Sequence, residues 1–353
     1  MKKRNSNLTR AEFLRLMGLS SLSLFFPYRF NHSKRGITET LDKENDFIKK
    51  LFAESLVLDG CGSLSLKRGK GNVSLLPGET KRLTGIDVAT KGVRVHRLAE
   101  QNSWVESHSD AFLKIERASD IETAWKTNLF GLIYYTQRGF DLKGSIEPLA
   151  KWKEEGLRSL QITYGDNELG GGSRSDDMPL TELGKKVVKE LNRLRMVVDV
   201  SHCGKRTTLD VTQVTTHPLT ANHANAERLS SHRRNKSDEE LEAIAGTGGV
   251  VGVTTIGRFL LRDPLRPATM DDFVAHIDYL VEKIGIDHVG IAGDCYLDGE
   301  QVYDVDFSDN LINSYDRWKH LARRLHDKGY SKKDLQKILG LNFKRVFEQV
   351  LDP

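Results

Sequence analysis

Residues 181–204 read TELGKKVVKELNRLRMVVDVSHCG and hold two periodicities end to end. Leu183, Val187, Leu191 and Leu194 recur at helical spacing behind Thr181, whose hydroxyl can cap the first turn. From Met196 the pattern changes. Val197, Val198 and Val200 are β-branched and predict a buried strand that ends on His202 and turns away at Gly204, Lys205 and Arg206. An amphipathic helix joined directly to a short apolar strand is half of a βαβ unit, the building block of parallel sheets. A lone histidine at a strand end is explained more readily by local hydrogen bonds than by chemistry, so its meaning depends on what the other strands end on.

Seven further apolar, β-rich runs lie along the chain: SLVLDGC (55–61), LTGIDVA (83–89), LFGLIYYTQ (129–137), LRSLQITY (157–164), PLTANH (218–223), GGVVGVTTI (248–256) and HVGIAGD (288–294). Helical patterns separate most of them, including 237–248, which starts on a Ser or Asp cap and ends on glycines, and 269–285. Eight strands alternating with helices over about 250 residues predict an α/β protein, a (β/α)8 TIM barrel. A doubly wound sheet is the alternative, but no Gly-rich dinucleotide fingerprint follows the first strand. In a barrel the carboxyl ends meet at one mouth, and here six of them are polar or ligating: Cys61, Gln137, Tyr164, His202, His223 and Asp294. The Gly/Ser-rich segment 168–179 is long enough to cover that mouth, and the amphipathic tail 329–351 is expected to close the barrel.

The 353 residues carry a formal charge of +4, yet residues 1–35 hold eight Lys or Arg against Glu12 alone. The basicity therefore belongs to a leader, and the body is slightly acidic with no basic block interleaved with aromatics, which argues against nucleic-acid binding. Phe13–Phe26 is too short and serine-rich to span a bilayer but matches the apolar region of an export signal. LTRAEFLRLMG is similar to a twin-arginine signal with Ala11 in place of the second arginine, so export through a weak twin-arginine-like or Sec-like leader is expected, with a cytoplasmic protein as the alternative. The expected organisation is a leader over 1–40 and one barrel domain over 41–353. Cys61, Cys203 and Cys295 are odd in number and widely spaced, which fits no disulfide framework or CxxC zinc module; Cys203 and Cys295 are expected to be buried small hydrophobes.

Over most of residues 45–352 the chain resembles the membrane (renal) dipeptidase family of zinc peptidases, metal-bearing (β/α)8 barrels related to the amidohydrolases. The resemblance is carried by LTELGKKVVKELNRLRMVVDVSHCG, ANHANAERLSSHRRNKSDEEL, GGVVGVTTIGRFL, HIDYLVEKIGIDHVGIAGD and GYSKKDLQKILGLNFKRV, in that order. It implies that His202 and His223 are ligands of one zinc, that Asp294 closes the metal site and handles protons, and that Arg234 receives a peptide's terminal carboxylate. These residue types suit those roles, since neutral imidazoles bind zinc, a carboxylate beside activated water accepts protons and a guanidinium grips a carboxylate. Without the resemblance, Arg234 in HRRNK reads equally as a solvated charge.

The first strand departs from the family. Cys61 and Ser63 stand where the family has His-x-Asp, Gln137 stands at the bridging glutamate, and Tyr164 replaces a histidine that helps hold the substrate carbonyl. Two metal cations need several anionic ligands, and an amide oxygen does not replace a carboxylate, so one zinc rather than two is expected, with Gln137, Asp294 or Cys61 completing its shell. The expected function is a dipeptidase-like metallohydrolase with a reduced zinc site, acting on a small peptide or amide with a free carboxylate; the resemblance also allows a homodimer. The rivals are an inactive barrel that binds a peptide or small ligand, and an enzyme on a changed substrate with Cys61 or Tyr164 in a new role.

Overall fold

In a computed structural model of the chain, the strand expected from VVDV forms over Val197–Asp199 inside a continuous parallel sheet. The structure describes residues 46–63, 81, 84–262, 266–296, 312, 314 and 316–352, so the expected leader and its export signal lie outside the described residues. The strands are β1 (Leu58–Ser63), β2 (Val88–Gly92), β3 (Phe112–Lys114), β4 (Phe130–Thr136), β5 (Leu157–Gln161), β6 (Val197–Asp199), β7 (Thr220–Ala221), β8 (Val250–Thr254), β9 (Val289–Ala292) and β10 (Cys295–Tyr296). Pairing runs β1–β2–β4–β5–β6–β7–β8–β9, and β10 pairs back onto β1 at Gly62 and Cys295. Strands β9 and β10 thus form one interrupted stave, and eight parallel staves make a nearly closed (β/α)8 barrel. Each of the eight expected runs supplies one of them.

The differences are local. Strand β3 was not expected; it pairs with the start of β4 through Phe112 and Phe130, and three residues are too few to show a period. Strand β6 stops at Asp199 because the Asp199 carboxylate accepts the Ser201 N–H at 3.0 Å and turns the chain, leaving His202 in the turn beyond. Strand β1 runs past Cys61 to Ser63 with a register shift between Asp59 and Gly62; the Ser63 side chain lies outside the described residues. The helix Glu182–Arg193 begins as its sequence predicts, with the Thr181 hydroxyl accepting the Gly184 N–H at 3.0 Å.

The tail closes the amino-terminal end of the barrel. Phe343, Val346, Phe347 and Val350 of the helix Asn342–Leu351 pack against Leu56, Leu58, Val88, Ile133, Val197 and Val250. Phe343 sits so tightly against β1 and β9 that a Cβ on Gly60 or Gly290 would lie 2.6 or 2.5 Å from its ring, and only glycine fits there. Truncating such a plug costs about 3 to 5 kcal/mol. At the opposite end, the 168–179 segment is tied to one side of the rim: the Gly171 N–H donates to Thr207 Oγ1 at 2.8 Å and the Gly204 N–H to the Gly171 carbonyl at 2.9 Å. Among the described residues no helix is long and apolar enough to cross a membrane.

Candidate active site

The carboxyl ends of β6 and β7 are joined by a network rooted in Asp199, an acid inside an apolar strand. Its carboxylate accepts Ser201 N–H (3.0 Å), Thr220 Oγ1–H (2.8 Å) and Asn222 N–H (2.7 Å), while burial pushes its pKa up. The Ser201 hydroxyl donates to Asn222 Oδ1 at 2.9 Å, and Asn222 Oδ1 also takes a short hydrogen bond from His223 Nδ1. Because that oxygen only accepts, the proton of the neutral imidazole is held on Nδ1 and the Nε2 lone pair is left bare. His223 is 0% exposed and its Nε2 has no hydrogen-bond partner. Burial, then the positive charges of Arg234 and Lys236, hold its pKa well below the ordinary histidine range. A buried neutral imidazole with one unsatisfied nitrogen is the state in which histidine binds a metal.

Cys61 and Asp294 face it from the far side of the closure. Asp294 lies in the break between β9 and β10 with φ of 46°, in the left-handed region that few non-glycine residues adopt. That turn is pinned by β1: Gly293 N–H donates to the Asp59 carboxylate at 2.8 Å and Asp294 N–H to the Cys61 carbonyl at 2.6 Å. The Cys61 thiol lies 3.5 Å from Asp294 Oδ1 and 2.9 Å from the Tyr135 hydroxyl. Burial, then the Asp294 charge, pushes the thiol pKa well up. Gln137 is turned toward the same hydroxyl, its amide N–H donating to Tyr135 at 2.6 Å. Among the described residues, one group of three or more histidine, cysteine and carboxylate side chains has all its donor atoms within 4.8 Å of one another, and it consists of Cys61, His223 and Asp294.

His202 stands beside this group. Its ring stacks on Tyr164 with centroids 4.1 Å apart and meets His223 edge-on at 5.0 Å. Tyr164, 45% exposed, forms an open aromatic wall at the mouth. Arg234 is only 7% exposed, so it is no solvated charge: Nη1 donates to the Ser201 carbonyl, Nη2 to the His223 carbonyl at 3.3 Å, and the guanidinium lies over Phe259. It braces both histidine-bearing turns while its buried Nε keeps no partner. Lys236, also buried, donates to the Cys203 carbonyl, Thr208 Oγ1 and Glu240 at 2.8 to 2.9 Å.

The structure therefore brings Cys61, Tyr164, His202, His223, Arg234 and Asp294 to one mouth, with Gln137 joined to it through Tyr135. Tyr135, Asn222, Asp199 and Lys236 were missed. The acid in VVDV and the amide beside the histidine in TANH were visible as polar residues within apolar runs, whereas Tyr135 sat unmarked in a hydrophobic strand. Cys203 and Cys295 are buried and unbridged, as expected of small hydrophobes; burial pushes the Cys295 thiol up to about 11.

This fold with this mouth defines an amidohydrolase-type (β/α)8 barrel. Residues 89–352 match the model of the membrane dipeptidase family, peptidase family M19, and the chain belongs to that family of metallopeptidases. It is 31% identical over 247 residues, 66% of this chain and 87% of the other, to an uncharacterized protein in the pqqA 5' region of Klebsiella pneumoniae. It is 25% identical over 252 residues to the dipeptidase tcpJ of Claviceps purpurea (strain 20.1), covering 70% of this chain and 57% of that protein's length. The crystal structure of an amidohydrolase from Pseudomonas aeruginosa superposes with a TM-score of 0.76 at 26% identity, over 87% of this chain and 99% of that one.

Proposed function

We propose that the chain hydrolyses a dipeptide, or a related amide with a free carboxylate, using one metal ion at the barrel mouth. The observation that carries this reading is the bare, buried Nε2 of His223, a residue clustered with Asp294 and Cys61, in a member of a metallopeptidase family. The residues fit one metal: His223 offers a neutral nitrogen, Asp294 a carboxylate and Cys61 a sulfur in the same group, and the His202 ring stands beside them. A zinc ion bound there supplies Lewis acidity to the carbonyl and acidifies water. Asp294 accepts the proton of the attacking water and returns it to the amine as the C–N bond breaks. Arg234, through N–H groups not taken by the backbone, holds the substrate carboxylate, and Tyr164 packs on the substrate's exposed side. The leader's charge and apolar run support export of the protein.

The experiment is turnover of a panel of L,L- and L,D-dipeptides and acyl amino acids by the full chain, stripped with chelator and reloaded with zinc. We expect metal-dependent hydrolysis that Asp294→Asn reduces to background with the fold retained, because the change removes a proton acceptor and a charged metal ligand but little volume. One observation favours a binding barrel instead: Gln137 spends its amide N–H on Tyr135 and brings no carboxylate to the mouth, so Asp294 is the one acidic side chain in the donor group. Saturable binding of a panel member with no turnover under any metal loading would establish that rival.

A further inference from the structure

The resemblance pairs His202 with His223 on one metal, but the geometry groups the donors differently. The compact set is Cys61, His223 and Asp294, and His202 stands outside it with its ring on Tyr164. With zinc–sulfur and zinc–oxygen distances of about 2.3 and 2.1 Å, a tetrahedral angle separates sulfur from oxygen by about 3.6 Å. Cys61 Sγ and Asp294 Oδ1 are 3.5 Å apart. His223, with a ring nitrogen within 4.8 Å of both, supplies a third corner; its Nδ1 is taken by Asn222, so the buried, unpartnered Nε2 is the nitrogen open to a metal.

The surroundings of the sulfur support the same assignment. A tyrosine hydroxyl has one proton and two lone pairs. Gln137 N–H occupies one lone pair of Tyr135 at 2.6 Å, and the hydroxyl proton is available to Cys61 Sγ, 2.9 Å away, once the sulfur is a thiolate with no proton of its own. Outer donors of this kind orient a ligand and stabilise negative charge on it. Gln137 thus contributes an N–H donor at one remove from the site.

We infer, resting on the one-metal reading above, that the ion is held by Cys61 Sγ, His223 Nε2 and the Asp294 carboxylate, with His202 left beside Tyr164 on the substrate side. A thiolate in the ligand set makes the site select zinc over magnesium or manganese, which prefer oxygen donors.

The test is spectroscopic and needs no substrate: cobalt(II) is titrated into the metal-stripped full chain and sulfur-to-cobalt charge-transfer absorption is followed in the near ultraviolet. We expect one equivalent bound with the band present, the band retained in Cys203→Ser, Cys295→Ser and His202→Ala, and the band lost in Cys61→Ser with at least a tenfold weaker affinity. Cys61→His should still bind one cobalt without the band, which separates loss of sulfur from loss of fold. Cobalt bound without the band in the wild type, a band that survives Cys61→Ser, no metal uptake at all, or loss of metal in His202→Ala matching that in His223→Ala would each overturn the assignment. A protein with the Cys61-dependent band but no turnover refutes the hydrolase reading alone; one that turns over dipeptides with a sulfur-free spectrum refutes the thiolate alone.

Discussion

The barrel mouth and the helix layer outside it each bury a histidine, and the two are finished in opposite ways. His276, in the helix Met270–Ile284, is 1% exposed with both nitrogens satisfied: Nδ1 accepts the Ala226 N–H and Nε2 donates to the Leu260 carbonyl, each at 3.1 Å. His223 is equally buried, but one nitrogen is locked to Asn222 and the other has no partner. Both pKa values are held down mainly by burial, so burial and a lowered pKa do not distinguish a structural histidine from a ligating one. The unmet hydrogen-bonding capacity does, because an orphaned buried nitrogen is unfavourable unless something else fills it.

Removing each ring should separate the two roles most sharply. In His223→Ala we expect metal content, by elemental analysis, to fall from about one equivalent to less than a tenth, with the fold retained. In His276→Ala the metal should stay while unfolding in urea shows a loss of roughly 2 to 6 kcal/mol, since a buried N–H and a buried carbonyl are each orphaned at about 1 to 3 kcal/mol. Metal loss in both, or in neither, would erase the distinction.

A smaller effect should come from the group that orients the His223 ring. Asn222→Ala removes the acceptor that keeps the proton on Nδ1, and loss of such an outer partner weakens metal binding about 10- to 100-fold. Competition with a chromophoric chelator would measure it. An unchanged affinity would mean that packing alone sets the ring.

The smallest effect concerns pH. His276 has its pKa lowered to about 4 by burial, against 6.5 for the free side chain. The unfolded chain therefore takes up the proton first, and the contribution of this group to stability is complete above pH 6.5 and lost as pH falls toward 4. It amounts to about 3 kcal/mol at most. Urea midpoints at pH 7 and pH 5 should accordingly differ less in His276→Gln than in the wild type. Equal pH slopes would show that other groups dominate acid unfolding.

The staves were readable because a buried parallel strand is a local apolar run and a barrel simply repeats it. The plug was readable too, since the tail's amphipathic period marks a face that must be covered. Other features needed partners far away in sequence. The three residues of β3 have meaning only beside β4. Arg234, in a run of charges, shows its burial only once the carbonyls of Ser201 and His223 close over it. The roles of Tyr135 and Gln137 follow from a contact to Cys61 that reaches from β4 past β2 to β1.

By itself, the sequence determined the alternation of strand and helix, the eight staves and the set of polar side chains at or just beyond their carboxyl ends, because period, capping and β-branching act over a few residues. The tertiary structure alone decided which of those donors meet. The 3.5 Å between Cys61 and Asp294 joins residues separated by 233 positions. It depends on the register shift in β1, on the left-handed turn at Asp294 and on the pairing that closes the ring. A one-residue change in any of these moves a side chain by several ångströms, and no local pattern records their sum.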